Sequence, residues 1–70
     1  MVSKNDENLR KSLGQKLKKA REKSGLTQAQ VAVMADIHVN YYARIERGEE
    51  NPTYERLAPI MKALGIKSLI

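Results

Sequence analysis

Leu26-Thr27-Gln28-Ala29-Gln30-Val31-Ala32-Val33-Met34-Ala35-Asp36-Ile37-His38-Val39-Asn40-Tyr41-Tyr42-Ala43-Arg44-Ile45-Glu46-Arg47-Gly48, followed by Glu49-Glu50-Asn51-Pro52-Thr53, is the stretch whose reading decides the fold. Thr27 and Gln30 stand at the spacing of a capping box, in which the Thr hydroxyl takes the backbone N–H three residues on and the Gln side chain reaches back. A helix therefore starts at Gln28 and runs to about Ala35. Asp36-Ile37-His38 leaves three residues for a turn. Val39 to Arg47 then has helical spacing, with Tyr42 and Ile45 on one side and Gly48 placed to end it. Two helices joined by so short a turn cross steeply, so the second presents its outer face away from the protein.

On the N-terminal side, Leu9, Leu13, Leu17 and Ala20 recur at helical intervals and predict a first helix from about Asp6 to Ser24, ended by Gly25. Lys11, Lys16, Lys18, Lys19 and Lys23 occupy its other sides. On the C-terminal side, Pro52-Thr53 opens a later helix with Thr53 as its cap. Leu57, Ile60 and Leu64 form its inward face and Gly65 terminates it. Pro59 lies inside that helix, where it removes a backbone donor and crowds the preceding turn, and predicts a kink. Residues 66–70 are too short a segment to assign. The fold class is all-α: a compact bundle of four to five short helices, one domain over 1–70, with residues 1–5 frayed and a helix-turn-helix at about 28–47.

A chain of 70 residues buries only about 60% of its unfolded surface, so its core must be small and mostly helical. With no cysteine and one histidine, it has neither disulfides nor a thiolate or polyhistidine metal site. Its N-terminus lacks the apolar core of a signal peptide, and no run approaches the roughly 20 apolar residues of a membrane span. The expectation is a soluble, unexported protein of a reducing cytoplasm. Nor is there a Gly-rich phosphate loop, a nucleophile with a base at usable spacing, or enough chain to enclose a substrate. An enzyme is not expected, and neither is a cofactor, a metal or a small-molecule substrate.

The net charge is +5, and it is concentrated at one end. Residues 1–25 carry eight basic and three acidic side chains, whereas residues 26–70 carry five of each. Such a balance serves phosphate binding, and it equally serves a well-solvated surface. On a helical wheel at about 100° per residue, Tyr42, Ile45 and Glu46 fall toward the core. Asn40, Ala43, Arg44 and Arg47 share the opposite arc, with Val39 at its edge. Asn can pair with the N7 and N6 edge of adenine, Arg can donate twice to O6 and N7 of guanine, and Val can pack on a thymine methyl. Small Ala43 lets the backbone approach closely. Asn40, Arg44 and Val39 are therefore the candidate base-reading residues.

Leu17, Arg21, Gly25-Leu26-Thr27-Gln28, Val31-Ala32, Ile37, Tyr41, Ile45-Glu46-Arg47-Gly48, Asn51-Pro52-Thr53, Leu57 and Ala63-Leu64-Gly65-Ile66 together resemble the lambda-repressor-like helix-turn-helix family, in its Cro/C1-type (XRE-like) branch of small bacterial and phage regulators. His38-x-Asn40-Tyr41 followed by Glu46-Arg47-Gly48 also resembles the controller proteins of restriction-modification systems. The resemblance implies a transcriptional regulator that binds double-stranded DNA, placing residues 39–47 in the major groove. It further implies a homodimer on an inverted repeat, with half-sites about one helical turn apart. Family matches assign Gln28, Tyr41 and Asn51 to backbone phosphates, with Arg47 at the end of the same arc. They also make Arg21 and Glu46 a structural salt bridge between the first helix and the recognition helix.

Some assignments have plainer readings beside them. Gln28 can complete local capping, Tyr41 can be a half-buried ring at the core boundary, and Lys16 and Lys19 can be solvated helix surface rather than phosphate contacts. His38 either caps the third helix or lies on its rim. Two positions depart from the family pattern: relatives often carry a basic or polar residue where Val39 stands and a basic one where Glu50 stands, and Glu49-Glu50 would repel phosphate, a cost that Lys16 and Lys19 would offset. On the same fold, a restriction-modification controller or an antitoxin differs from a general regulator only by the genes next door. A protein-bridging module in transcription is the alternative of another class, and should expose an apolar cluster instead of a polar arc.

Overall fold

A computed structural model describes residues 4–67. Four helices follow one another: α1 (Lys4–Ser24), α2 (Gln28–Met34), α3 (Val39–Glu46) and α4 (Tyr54–Leu64). Helix α1 packs on α3 and α4, and α2 packs on the same two. The helix ends follow the local chemistry. Gln30 N donates to Thr27 Oγ1 (3.0 Å) while Thr27 N donates to Gln30 Oε1 (2.8 Å), completing the capping box. Thr53 Oγ1 caps α4 through the N–H of Arg56, and His38 Nδ1 caps α3 through the N–H of Asn40 at 3.1 Å.

Leu17, Val31, Tyr42, Ile45 and Ile60 are fully buried, with Ala32, Ala35 and Leu64 closing the core around them. Removing each large side chain of this set from water stabilises the fold by about 1.5–3 kcal/mol. Leu13, Ala20, Leu26, Ile37, Leu57 and Ile66 pack partly buried against them.

Several boundaries and contacts differ from the sequence-based expectations. Helix α1 begins at Lys4, two residues before the expected start, and residues 1–3 lie outside the described segment. Leu9 is not part of the apolar stripe and is 67% exposed. The chain at the end of α3 meets α1 at Lys11, and Arg10 Nε donates to the Gly48 carbonyl (3.4 Å), so Leu9 lies past the surface that would bury it. Helix α3 ends at Glu46, with Arg47 as its C-cap. Helix α4 contains Pro59, as the sequence reading placed it, and the missing N–H leaves the Glu55 carbonyl without its helical donor. Of residues 66–70, where a fifth helix would begin, 68–70 lie outside the described segment. Among the described residues no helix is long and apolar enough to cross a membrane.

Candidate nucleic-acid interface

The turn between α2 and α3 depends on one left-handed residue. Asp36 has φ 57, a conformation that Asp tolerates better than most non-glycine residues. It lets Ile37 N donate to the Ala32 carbonyl (2.9 Å) and Asp36 N to that of Val33 (3.2 Å), a Schellman closure. Helix α3 therefore departs steeply, burying Tyr42, Ile45 and Glu46. Asn40 and Arg47 are exposed along its other side, and Ala43 and Arg44 are partly so. Val39, at the edge of this arc, is half-buried and packs against the core.

Behind the arc, Glu46 is the centre of a buried polar clamp. Arg21 Nε and Nη2 meet Glu46 Oε2 and Oε1 at 2.7 and 3.2 Å. Gln28 Nε2 donates to Glu46 Oε1 at 2.9 Å, and Arg21 Nη1 donates to the Leu26 carbonyl at 3.0 Å. One carboxylate thus ties α1, the start of α2 and the end of α3 together. Burial pushes the Glu46 carboxyl up, but the hydrogen bonds it accepts outweigh burial and hold it below its ordinary range. Its bond to Glu46 raises the Arg21 guanidinium in turn. The buried Tyr42 hydroxyl meets no partner at full hydrogen-bond geometry, yet it lies close enough to the Glu46 carboxylate to interact with it. Burial, with that charge beside it, pushes the phenol up.

The arginines of the arc are both paired. Gly48, at φ 77, closes α3 with a second Schellman turn in which Glu49 N donates to the Arg44 carbonyl (2.9 Å) and Gly48 N to that of Ile45 (3.1 Å). The reversed chain brings Glu50 Oε2 to 3.0 Å from Arg44 Nε. Glu49 binds Arg47 through both oxygens, at 2.9 and 3.1 Å, and this pair holds Glu49 down and Arg47 up.

The other expected contact residues are spread around this face. Asn51 is exposed in the loop after α3, and Lys16 and Lys19 are exposed on α1. Tyr41 is half-buried at the core boundary with the Arg56 guanidinium 5.4 Å from its ring centre, linking α3 to α4. Gln28 takes no part in the capping box, which Thr27 and Gln30 complete alone; its amide turns to Glu46. Periodicity and spacing contain no sign of that bond. Among the described residues no group of three or more His, Cys, Asp or Glu could hold a metal ion.

A helix-turn-helix family profile matches residues 17–69. The chain belongs to the Cro/C1-type helix-turn-helix family. As a member it is a double-stranded-DNA-binding regulator of transcription. It is 38% identical over 61 residues to the control protein C.BamHI of Bacillus amyloliquefaciens, covering 86% of this chain and 75% of that protein. With the immunity repressor of Bacillus phage phi105 it shares 39% identity over 56 residues, which are 80% of this chain and 39% of the repressor. The crystal structure of the restriction-modification controller protein C.AhdI from Aeromonas hydrophila superposes with a TM-score of 0.79 at 28% identity, covering 81% of this chain and 86% of that one. These relatives support the fold and the regulatory class expected from the sequence.

Proposed function

We propose that the chain reads a short operator as a homodimer, with α3 in the major groove of each half-site and Asn40 and Arg44 contacting base edges. The observation that carries this is the division of α3 into two faces. One is locked into the core by Tyr42, Ile45 and the Arg21–Glu46–Gln28 clamp, and the other carries Asn40, Ala43, Arg44 and Arg47. A helix so anchored holds the backbone of its outer residues at fixed positions, from which their side chains can reach base edges. Val39 adds an apolar contact only with its exposed rim. Tyr41, Arg47 and Asn51 engage backbone phosphate around the arc, and Lys16 and Lys19 supply charge from α1. Gln28 contributes to phosphate binding through the groups its bond to Glu46 leaves open. The cytoplasm, where the chromosome lies, is the site of action.

Amide chemical-shift mapping with a DNA duplex tests this reading. Shifts concentrated at residues 39–47 and Asn51 are expected. Leu26, Ala29, Val33 and Met34 line a shallow apolar groove along α2, with Val33 and Met34 exposed; shifts confined to it would contradict this reading and favour the protein-bridging role.

A narrower reading, control of a restriction-modification operon, is favoured by the likeness to C.BamHI and C.AhdI. Restriction and modification genes beside this one, with an operator in their promoter, would bear it out.

A further inference from the structure

The loop after α3 sets beside the arc an acid that DNA binding alone does not call for. Glu50 lies beside the reading surface, where its charge opposes phosphate, yet it is the partner of the one arginine placed to read bases. We propose that Glu50 is a positioning residue for sequence readout, holding the Arg44 guanidinium by Nε so that its terminal amino groups are presented to a guanine edge. The inference rests on the DNA-reading role proposed above.

Three observations carry it. First, contact is made through Nε alone, at 3.0 Å. A guanidinium is a planar fork of five N–H donors, so a partner at Nε leaves the Nη1–Nη2 edge, which matches the paired O6 and N7 acceptors of guanine. Second, the pair is partly sheltered, with side chains 43% and 33% exposed, whereas Arg47 and Glu49 are 56% and 53% exposed. The sheltered pair is less screened by solvent and holds its geometry better. Third, the backbone fixes the approach: the Glu49 N–H bonds the carbonyl of Arg44 itself, so the turn that carries Glu50 is tied to the residue it orients.

An arginine already held in its reading rotamer loses less freedom when it meets a base. Since only the matching base gains that contact, the benefit appears as discrimination and not as general affinity. The repulsion between Glu50 and phosphate acts on every sequence alike.

The test uses the full chain and the duplex that it enriches from a random library, together with duplexes substituted at single base pairs. A bidentate arginine–guanine contact is worth about 5- to 150-fold in discrimination, and Arg44→Ala identifies the base pair concerned. Glu50→Ala is expected to lower discrimination at that same base pair by about 2- to 12-fold, and Glu50→Gln, which keeps the side-chain shape, to lower it in the same direction. Glu49→Ala, with the same change of charge, should leave it untouched. In an Arg44→Ala background, Glu50→Ala should have no further effect on discrimination, an outcome that a general structural role would not produce.

If Glu49→Ala and Glu50→Ala raise affinity equally for all duplexes and preserve every base preference, Glu50 is only a repulsive charge and this inference is wrong, while the DNA reading stands. If the wild-type chain enriches no sequence at all, the DNA-reading role and this inference fall together.

Discussion

Gly14 of α1 lies directly against the last turn of α3 at Glu46. A methyl group at Gly14 would overlap the Glu46 carbonyl oxygen and stand 2.6 Å from that of Ile45. The atoms in the way are backbone, so relief requires moving the whole of α3. An interior glycine costs a helix about 1 kcal/mol relative to alanine, whereas overpacking costs about 1–3 kcal/mol and more where nothing can yield. Packing wins. Gly14→Ala should lose about 2 kcal/mol in urea denaturation; a gain in stability would show that α1 and α3 do not meet this closely.

Glu46 is 7% exposed, and its removal strands Arg21 and the Gln28 amide. Glu46→Ala should cost about 3–5 kcal/mol, most of what a domain of this size possesses, so it should unfold before it loses sequence preference. The pH dependence has a definite sign. Because the folded-state carboxyl is held below its ordinary value of 4.5, its contribution is complete above that value and is lost as pH falls through the lower native one. The thermal midpoint should drop below about pH 4.5, and drop less steeply in a folded Glu46→Gln variant. A midpoint independent of Glu46 across this range would contradict the clamp.

Tyr42 fills the core with its ring, but its hydroxyl has no hydrogen-bond partner. An unsatisfied buried hydroxyl costs about 1–3 kcal/mol, so Tyr42→Phe should hold or raise stability. Because burial raises the folded phenol above its ordinary value of 10.0, the unfolded chain ionises first and stability falls as pH rises past that value. Tyr42→Phe should remove that alkaline loss. A clear destabilisation by Phe would reveal a working bond to Glu46.

Asp36 controls how α3 leaves α2. A β-branched residue is strained at its φ of 57, so Asp36→Val should cost about 1–2 kcal/mol, while Asp36→Gly keeps the turn. Equal melting temperatures for the two variants would argue against a left-handed turn here.

Much of this architecture was legible in the residues. Thr27 with Gln30, Thr53, and the glycines at 25, 48 and 65 mark helix ends through local chemistry, and local chemistry is what sequence reports most directly. The buried set of Leu17, Tyr42, Ile45, Ile60 and Leu64 follows from helical period. Features that depend on a partner element were not legible. Gly14 looks like an ordinary weak point in a helix until α3 lies across it, and Leu9 continues an apolar stripe past the place where its partner ends. The Arg44–Glu50 pair exists because the Gly48 turn folds the chain back on its own helix. Gln28 stands where a capping or phosphate role looks natural, and only the position of Glu46 redirects its amide.

The central claim is that α3 reads sequence, and selection of bound duplexes from a random library at near-physiological salt tests it most directly, since affinity alone could reflect charge. The predicted result is an inverted repeat with half-sites about one helical turn apart, with preference at one base pair abolished by Arg44→Ala. Folded wild-type protein that enriches no sequence, or an Arg44→Ala variant with unchanged preferences and uniformly weaker binding, would contradict the account.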